Sequence, residues 1–449
     1  MPTLSEIQTC ITNLTANSEV TEMVVLAAET SNATTNRSIV VSDTGDLPDQ
    51  ATNSISVGTV IFVQSLCIPV VAGAGCWMSL DNRILRQDCT SGQAWGWGDN
   101  YRGKLGLGDV NDRSSPVSVA GGFTDWYDIS AGVNHSLAVR NNGTAWSWGQ
   151  YGSGNLGDNC NLHRSSPVSV VGGFTDWCQV SAFCHSLGLR ENGTLWAWGF
   201  GNYGVLGNNS TNIPRSSPVS VVGGFTDWCQ VSAGFKFSLA LRTNGTVWSW
   251  GCATDGQLGD NTTVSKSSPV SVVGGFTDWC QISAGGGHSL AVRQNGTAWG
   301  WGRNNCGQIG DNTTTSRSSP VSIIGGFSNW SQVSAGYCHS LGIVGNSSLL
   351  AWGRNANGQL GDNSATDRTS PVSVVGGFTD WCQISAGKYG HSLAVRRNGT
   401  AWAWGNNADG MLGENQSSSR SSPVSVVGGS VGWYEVSAGR LHSLGIQKY

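Results

Sequence analysis

The 449-residue chain carries 24 Lys and Arg against 28 Asp and Glu, a net charge of −4, and only 12% of it is charged, about half the usual globular share. Non-specific nucleic-acid binding needs clustered cations, so no nucleic acid is expected as a partner. No apolar run is long enough to span a bilayer and no basic, apolar leader is present, so neither membrane insertion nor secretion is expected and the chain is read as made in the cytoplasm.

Residues 1–91 do not repeat. Leu4, Ile7, Ile11 and Leu14 fall on one helical face, with Ser5 able to cap and Glu6 in the first turn. A second helical stretch, residues 19–30, carries Val20, Met23, Val24 and Ala27. This apolar face is expected to pack on its own small domain, or on copies of itself or a larger assembly, and residues 1–40 are read as a helical anchor. Residues 41–91 read as a small β attachment unit, with strands at 59–63 and 67–72 and a final stretch from Cys76 to Arg83. Cys67 and Cys76 flank a hairpin and are placed to pair, although 13 cysteines in all leave one over.

From residue 92 the chain is an array. Trp-Gly pairs begin at Trp97, Trp148, Trp198, Trp250, Trp301, Trp352 and Trp404, at spacings of 51, 50, 52, 51, 51 and 52. Such a period marks a propeller or solenoid. Each unit holds four short runs rich in Val, Trp and Thr between Gly, Asn, Pro and Ser, as in residues 144–148, 166–171, 177–182 and 185–190, and these predict strands. The expectation is an all-β, seven-bladed β-propeller of four-stranded blades over residues 92–449. Asn-Gly pairs such as Asn142-Gly143 and Asn192-Gly193 predict type I′ hairpins, a reading preferred to glycosylation of the Asn-Gly-Thr sequons they form. The last unit stops at residues 442–446 without a following hairpin and the first starts at residue 92 without a preceding His-Ser-Leu run, so both ends are expected to build one closing blade.

The Trp-Gly pairs, residues 103–109 (GKLGLGD) with Arg113 and Pro116, Ser130 to Gly132, and His135-Ser136-Leu137 resemble the regulator-of-chromosome-condensation repeat family. The resemblance implies a seven-bladed propeller and leaves activity open, since the family includes a nucleotide exchange factor for a small GTPase as well as binding modules. That exchange activity depends, as the resemblance implies, on a protruding insertion, and no unit here exceeds its neighbours by more than two residues. The order of short helix, polar linker with Leu47-Pro48-Asp49, and two-strand unit ending near Leu80-Asp81 resembles the N-terminal attachment segments of bacteriophage tail-fibre and other virion appendage proteins.

Candidate chemistry is repeated once per blade. His135, His185, His288, His339, His391 and His442 precede Ser-Leu, with Phe237 in the third unit. Residues spread around a ring do not form a tetrahedral metal site, so these histidines are predicted to bond to a neighbouring blade, and no metal or cofactor is expected. Arg113, Arg164, Arg215, Lys266, Arg317, Arg368 and Arg420 are predicted to meet acids within their own loops, such as Asp158 and Glu414. Cys178, Cys229, Cys280 and Cys382 share a position with Tyr127, Ser331 and Tyr434, which predicts free thiols. No Asp or Glu is singled out in one blade, which argues against catalysis.

The loops after Trp-Gly vary between units, and a rigid scaffold with variable loops suits recognition as well as unconstrained drift. Tyr101, Arg102, Tyr151, Phe200, Tyr203, Arg303 and Arg354 are the candidate ligand-binding residues. The leading expectation is a non-enzymatic virion appendage that binds a host-surface glycan or another virion protein, with Leu4, Ile7, Ile11 and Leu14 mediating assembly with virion proteins or copies of itself. The alternative is an intracellular propeller that binds a protein partner.

Overall fold

The computed structural model describes residues 91–345, 347–427 and 431–448, and before them only the backbone of four short strands. Contacts divide the chain into one unit of residues 1–68 and 78–83 and another of residues 69–77 and 84–449. In the first, β1 (Ile39–Val41) pairs in parallel with β2 (Ile61–Val63). Strands β3 (Cys76–Met78) and β4 (Ile84–Arg86) form a two-stranded sheet. The proposed anchor residues Leu4, Ile7, Ile11 and Leu14, the predicted strand 67–72 and the Cys67 and Cys76 thiols lie outside the described residues.

The second unit contains seven four-stranded antiparallel sheets. Blade 1 is β7 to β10 (Trp126–Ser169), blade 2 β11 to β14 (Trp177–Ser220), blade 3 β15 to β18 (Trp228–Ser271) and blade 4 β19 to β22 (Trp279–Ser322). Blade 5 is β23 to β26 (Trp330–Ser373) and blade 6 β27 to β30 (Trp381–Ser425). Blade 7 takes β31 (Trp433–Ala438) and β32 (His442–Gln447) from the C-terminal end and β5 (Gln93–Gly98) and β6 (Arg113–Ser118) from the start of the array. The closing register pairs Leu444 with Gly96 and Ile446 with Ala94, as the complementary ends predict.

The first strands of successive blades are stitched together around the ring. Ser130 Oγ accepts from Ala182 N at 3.0 Å, and equivalent bonds run from blade to blade until Ser437 accepts from Ala131 N at 2.9 Å. All seven members are present, so ring closure leaves no gap in this seam.

A second seam explains the repeated Trp, Ser and His. Trp198 Nε1 and Ser186 Oγ of blade 2 both donate to Asn155 O in the loop of blade 1, at 2.9 and 2.8 Å. With its hydroxyl proton engaged, Ser186 accepts from His135 Nε2 at 2.9 Å. The same His-to-Ser link recurs from His185, His288, His339, His391 and His442 to the next blade. Leu-Gly is needed beside it: a Cβ on Gly157 would stand 2.7 Å from Trp198 Nε1.

Cys178, Cys229, Cys280 and Cys382 form no disulfide, as expected, and the replacement of this residue by Ser has a cause. Cys229 and Cys280 donate weakly to Leu241 O and Val292 O at 3.5 Å, and Ser331 makes the same bond to Ile343 O at 3.3 Å. The type I′ expectation is corrected. Gly143 N donates to Arg140 O at 2.8 Å, and within that turn positive φ is confined to Gly143, at 73°. The geometry is a type I turn followed by a glycine bulge, because Asn141 lengthens the loop beyond two residues. Asn142 Oδ1 instead accepts from Thr144 N and Oγ1 at 3.1 and 2.6 Å, and Thr144 Oγ1 accepts from Trp146 Nε1 at 2.9 Å. The Asn-Gly-Thr triplet is thus a hydrogen-bonding unit of the turn.

Candidate functional site

Antiparallel order puts two kinds of loop on one face: the loop after each Trp-Gly, and the tip joining the first two strands of each blade. The other face carries repeated Phe, Arg and Asp clusters. Arg140, for example, lies 4.0 Å from the Phe123 ring centre and 2.8 Å from Asp125, and Arg190 repeats both contacts with Phe174 and Asp176. Differences between blades are therefore concentrated on the first face.

The tips surround the mouth of the central channel. They differ in every blade: Val133, Phe183, Phe235, Gly286, Tyr337, Lys388 and Arg440 stand at equivalent places. Backbone bonds fix most of them to the next tip, including Val133 N to Phe183 O at 2.9 Å and Lys388 N to Gly439 O at 2.9 Å. Blade 2 has one residue fewer here and blade 6 one more, which accounts for the 50-residue interval and for the last 52-residue one.

Aromatic and cationic residues occupy different arcs of this mouth. The Phe183 and Phe235 ring centres are 5.7 Å apart, and Phe235 reaches Tyr337 at 5.8 Å. Phe235 and Tyr337 lie two blades apart and meet because Gly286 stands between them; a Cβ there would be 2.7 Å from the Tyr337 ring. On the facing arc, Lys388 Nζ donates to Ala131 O and lies 5.1 Å from the centre of Phe183. Arg440 lies 5.5 Å from the ring centre of Tyr389. The cavity they enclose is about 560 Å³ and also receives Arg354, Asn357 and Gln359. Enclosure by the ring walls pushes the Lys388 ammonium down to about 7, against a smaller opposing effect from the nearby Cys184.

The predicted loop residues divide. Arg354 is exposed and lines the cavity, and Tyr203 is linked to the tips through Lys236, whose Nζ lies 5.0 Å from its ring centre and 5.1 Å from that of Phe235. Tyr101 is 55% exposed, with Arg102 stacked 4.8 Å from its ring centre. Tyr151 is half-buried and its N–H donates to His163 Nδ1 at 2.9 Å. Phe200 is half-buried against the core between blades 2 and 3, so it serves packing. Arg303 donates to Asn305 Oδ1 at 3.1 Å. The tip residues escaped the sequence reading because one or two variable positions between Ser-Ala-Gly and His look like loop drift.

The histidines are structural, as predicted. With Nε2 donating to Ser, Nδ1 carries no proton and is buried without a partner in five of them. Burial lowers His135, His185, His288 and His391 to about 3 and His339 to about 4. The basic residues before Pro pair within their own loops, as in Arg164–Asp158 at 2.9 Å and Arg420–Glu414 at 2.8 Å. Arg215, whose loop carries Asn208 where other blades offer an acid, leaves its Nε buried without a partner.

One expectation is overturned. Asp128 and Glu435 do single out their blades: they replace Gln179, Gln230, Gln281, Gln332 and Gln383 at one place on the first strand. Asp128 Oδ2 accepts from Val180 N at 2.6 Å, Glu435 Oε1 accepts from Ile129 N at 3.4 Å, and the two side chains hydrogen-bond to each other. Burial pushes Asp128 up to about 7 and Glu435 well above the usual carboxylate range.

Residues 175–445 match the RCC1-like domain model, and residues 91–139 and 126–155 match the regulator of chromosome condensation (RCC1) repeat. The chain belongs to the RCC1-like domain family. It is 31% identical to the ultraviolet-B receptor UVR8 of Arabidopsis thaliana over 63% of this chain and 54% of that protein. It is 32% identical to the human probable E3 ubiquitin-protein ligase HERC4 over 79% of this chain and 34% of that protein. The chain thus spans about half or less of these relatives. Its fold is that of human WBSCR16 (22% identity, TM-score 0.71, covering 80% of this chain and 99% of that one) and of Prp20p from Saccharomyces cerevisiae (22% identity, TM-score 0.71, 82% and 96%). No helix among the described residues is long and apolar enough to cross a membrane.

Proposed function

We propose that this RCC1-family propeller is a non-enzymatic recognition scaffold that binds a protein partner through the face carrying the channel mouth and the loops after Trp-Gly. The observation that carries this reading is the placement of blade-specific residues. The strands and the far face repeat, while Tyr101, Tyr203, Tyr337, Tyr389 and Arg440, which differ from blade to blade, and Arg354, matched by Arg303 of the preceding unit, are exposed on one face. Exposed aromatic and Arg side chains on rigid supports are the usual anchors of protein interfaces.

The family supports a protein partner over the virion reading, which rests on residues 1–91, and over the glycan reading, which rests on the aromatic residues of the propeller loops. Prp20p is described with binding properties to Gsp1p and histones, which are protein partners. The test is affinity capture with wild type, a site-face variant (Tyr101→Ser with Arg354→Ser and Tyr389→Ser) and a far-face variant (Phe327→Ser with Val375→Ser). The expected result is a partner lost with the first variant and kept with the second; loss with the far-face variant alone would refute the reading.

A further inference from the structure

The channel-mouth cavity has its own chemistry, separate from that of a flat interface. Its lining includes Arg354, Lys388 and Arg440 and no carboxylate. None of these three makes an ion pair among the described residues, unlike the basic residues before Pro. Lys104, close enough to Arg440 for their charges to interact, is neutralised by its own contact with Asp99. Two guanidiniums, with a lysine beside them that a bound anion would hold protonated, raise the local potential for an anion around this enclosed volume. Phe183, 5.1 Å from Lys388 Nζ, begins an aromatic arc in which Phe235 meets Phe183 and Tyr337 edge to face, an arrangement that a further ring can extend. A volume of about 560 Å³ lies within the range of small-ligand sites, roughly 300–1,000 Å³.

We propose that this cavity binds an aromatic anion, a planar ring carrying a carboxylate or phosphate, with the ring against Phe235 and Tyr337 and the anionic group between Lys388 and Arg440. The same chemistry is carried by a free small molecule and by the C-terminal aromatic residue of a peptide. Neither source depends on the protein-partner reading.

The experiment is calorimetric titration of the full chain with phenyl phosphate, inorganic phosphate, benzyl alcohol, and the peptide Ala-Ala-Phe as free acid and as amide. Phenyl phosphate or the peptide acid is expected to bind at least tenfold more tightly than inorganic phosphate, benzyl alcohol or the amide. Tighter binding of phenyl phosphate assigns the site to small molecules, and tighter binding of the peptide acid assigns it to chain ends. Lys388→Gln, Arg440→Gln and Phe235→Ala should each weaken binding about tenfold, whereas Lys266→Gln, in an ion pair with Asp260 in its own loop, should not. Arg354→Gln, at an exposed position, should weaken binding with the fold intact if the channel variants fail to fold. Equal heats for benzyl alcohol and phenyl phosphate, or no binding by either aromatic anion, would overturn the proposal.

Discussion

Asp128 and Glu435 show how one residue type sets the response of a symmetric ring to pH. At the same place in blades 2, 4 and 6 Gln bridges both ways: Gln281 Oε1 accepts from Val333 N at 3.0 Å and its Nε2 donates to Val333 O at 3.0 Å, as Gln179 and Gln383 do with Val231 and Val436. Two acids side by side can mimic this only while they retain a proton. Both folded-state values are raised, Asp128 to about 7 and Glu435 well above its ordinary value, whereas both groups ionise near 4 in the unfolded chain. The stabilisation is therefore complete below about pH 4 and is lost as pH rises through about 7 and beyond. The melting temperature should fall between pH 5 and pH 9. Glu435→Gln, which restores the amide of the other blades, should flatten that slope and raise the melting temperature at pH 9 by about 3–5 °C. A wild-type melting temperature independent of pH across this interval would remove the pair from any such role.

At the scale of the strand and its turn, the repeat was legible and the turn geometry was not. The spacing of Trp-Gly, the alternation within runs such as TAWSW, and the complementary ends were enough to read seven blades and their closure, because each depends on neighbours in sequence. Asn-Gly suggested a two-residue loop, but Asn141 and Glu191 precede it and make the turn one residue longer. The channel-mouth residues were hidden for a different reason: Phe183, Phe235 and Tyr337 meet only because the ring brings together tips one and two repeats apart in the chain, which no local pattern records. The turn geometry makes its own prediction. A Cβ on Gly193, at φ 72°, would stand 2.1 Å from Thr226 O in the segment entering the next blade. Gly193→Ala should cost about 2–4 kcal/mol by combining a left-handed alanine with that clash, read by chemical denaturation. Asn192→Ala, which removes only the bonds to Thr194, should cost about 1 kcal/mol. Equal costs for the two variants would mean that the turn relaxes freely.

The ring as a whole depends on contacts between the two ends of the array. Leu444 and Ile446 from one end and Ala94 from the other share a single buried cluster with Trp126 and Trp148 of blade 1, and Trp97 Nε1 donates to Met411 O of blade 6 at 2.9 Å. Strand β32 lies between β31 and β5, so its removal leaves two unpaired edges inside the ring and breaks both the His442–Ser136 bond and the apolar cluster. A propeller closed this way cannot lose one end and keep six independent blades, since each first strand is also bonded to the next through the serine seam. Ending the chain after Leu441 should therefore lower the melting temperature by about 10 °C or more and make the protein prone to edge-to-edge association. Lys448→Ala, which keeps the bond from its N–H to Gly432 O at 2.8 Å, should leave the transition nearly unchanged. Light scattering alongside tryptophan fluorescence reads both effects. A chain ending at Leu441 that melts within a few degrees of the full length would show that the blades are held by their neighbours alone, with the joined ends contributing little.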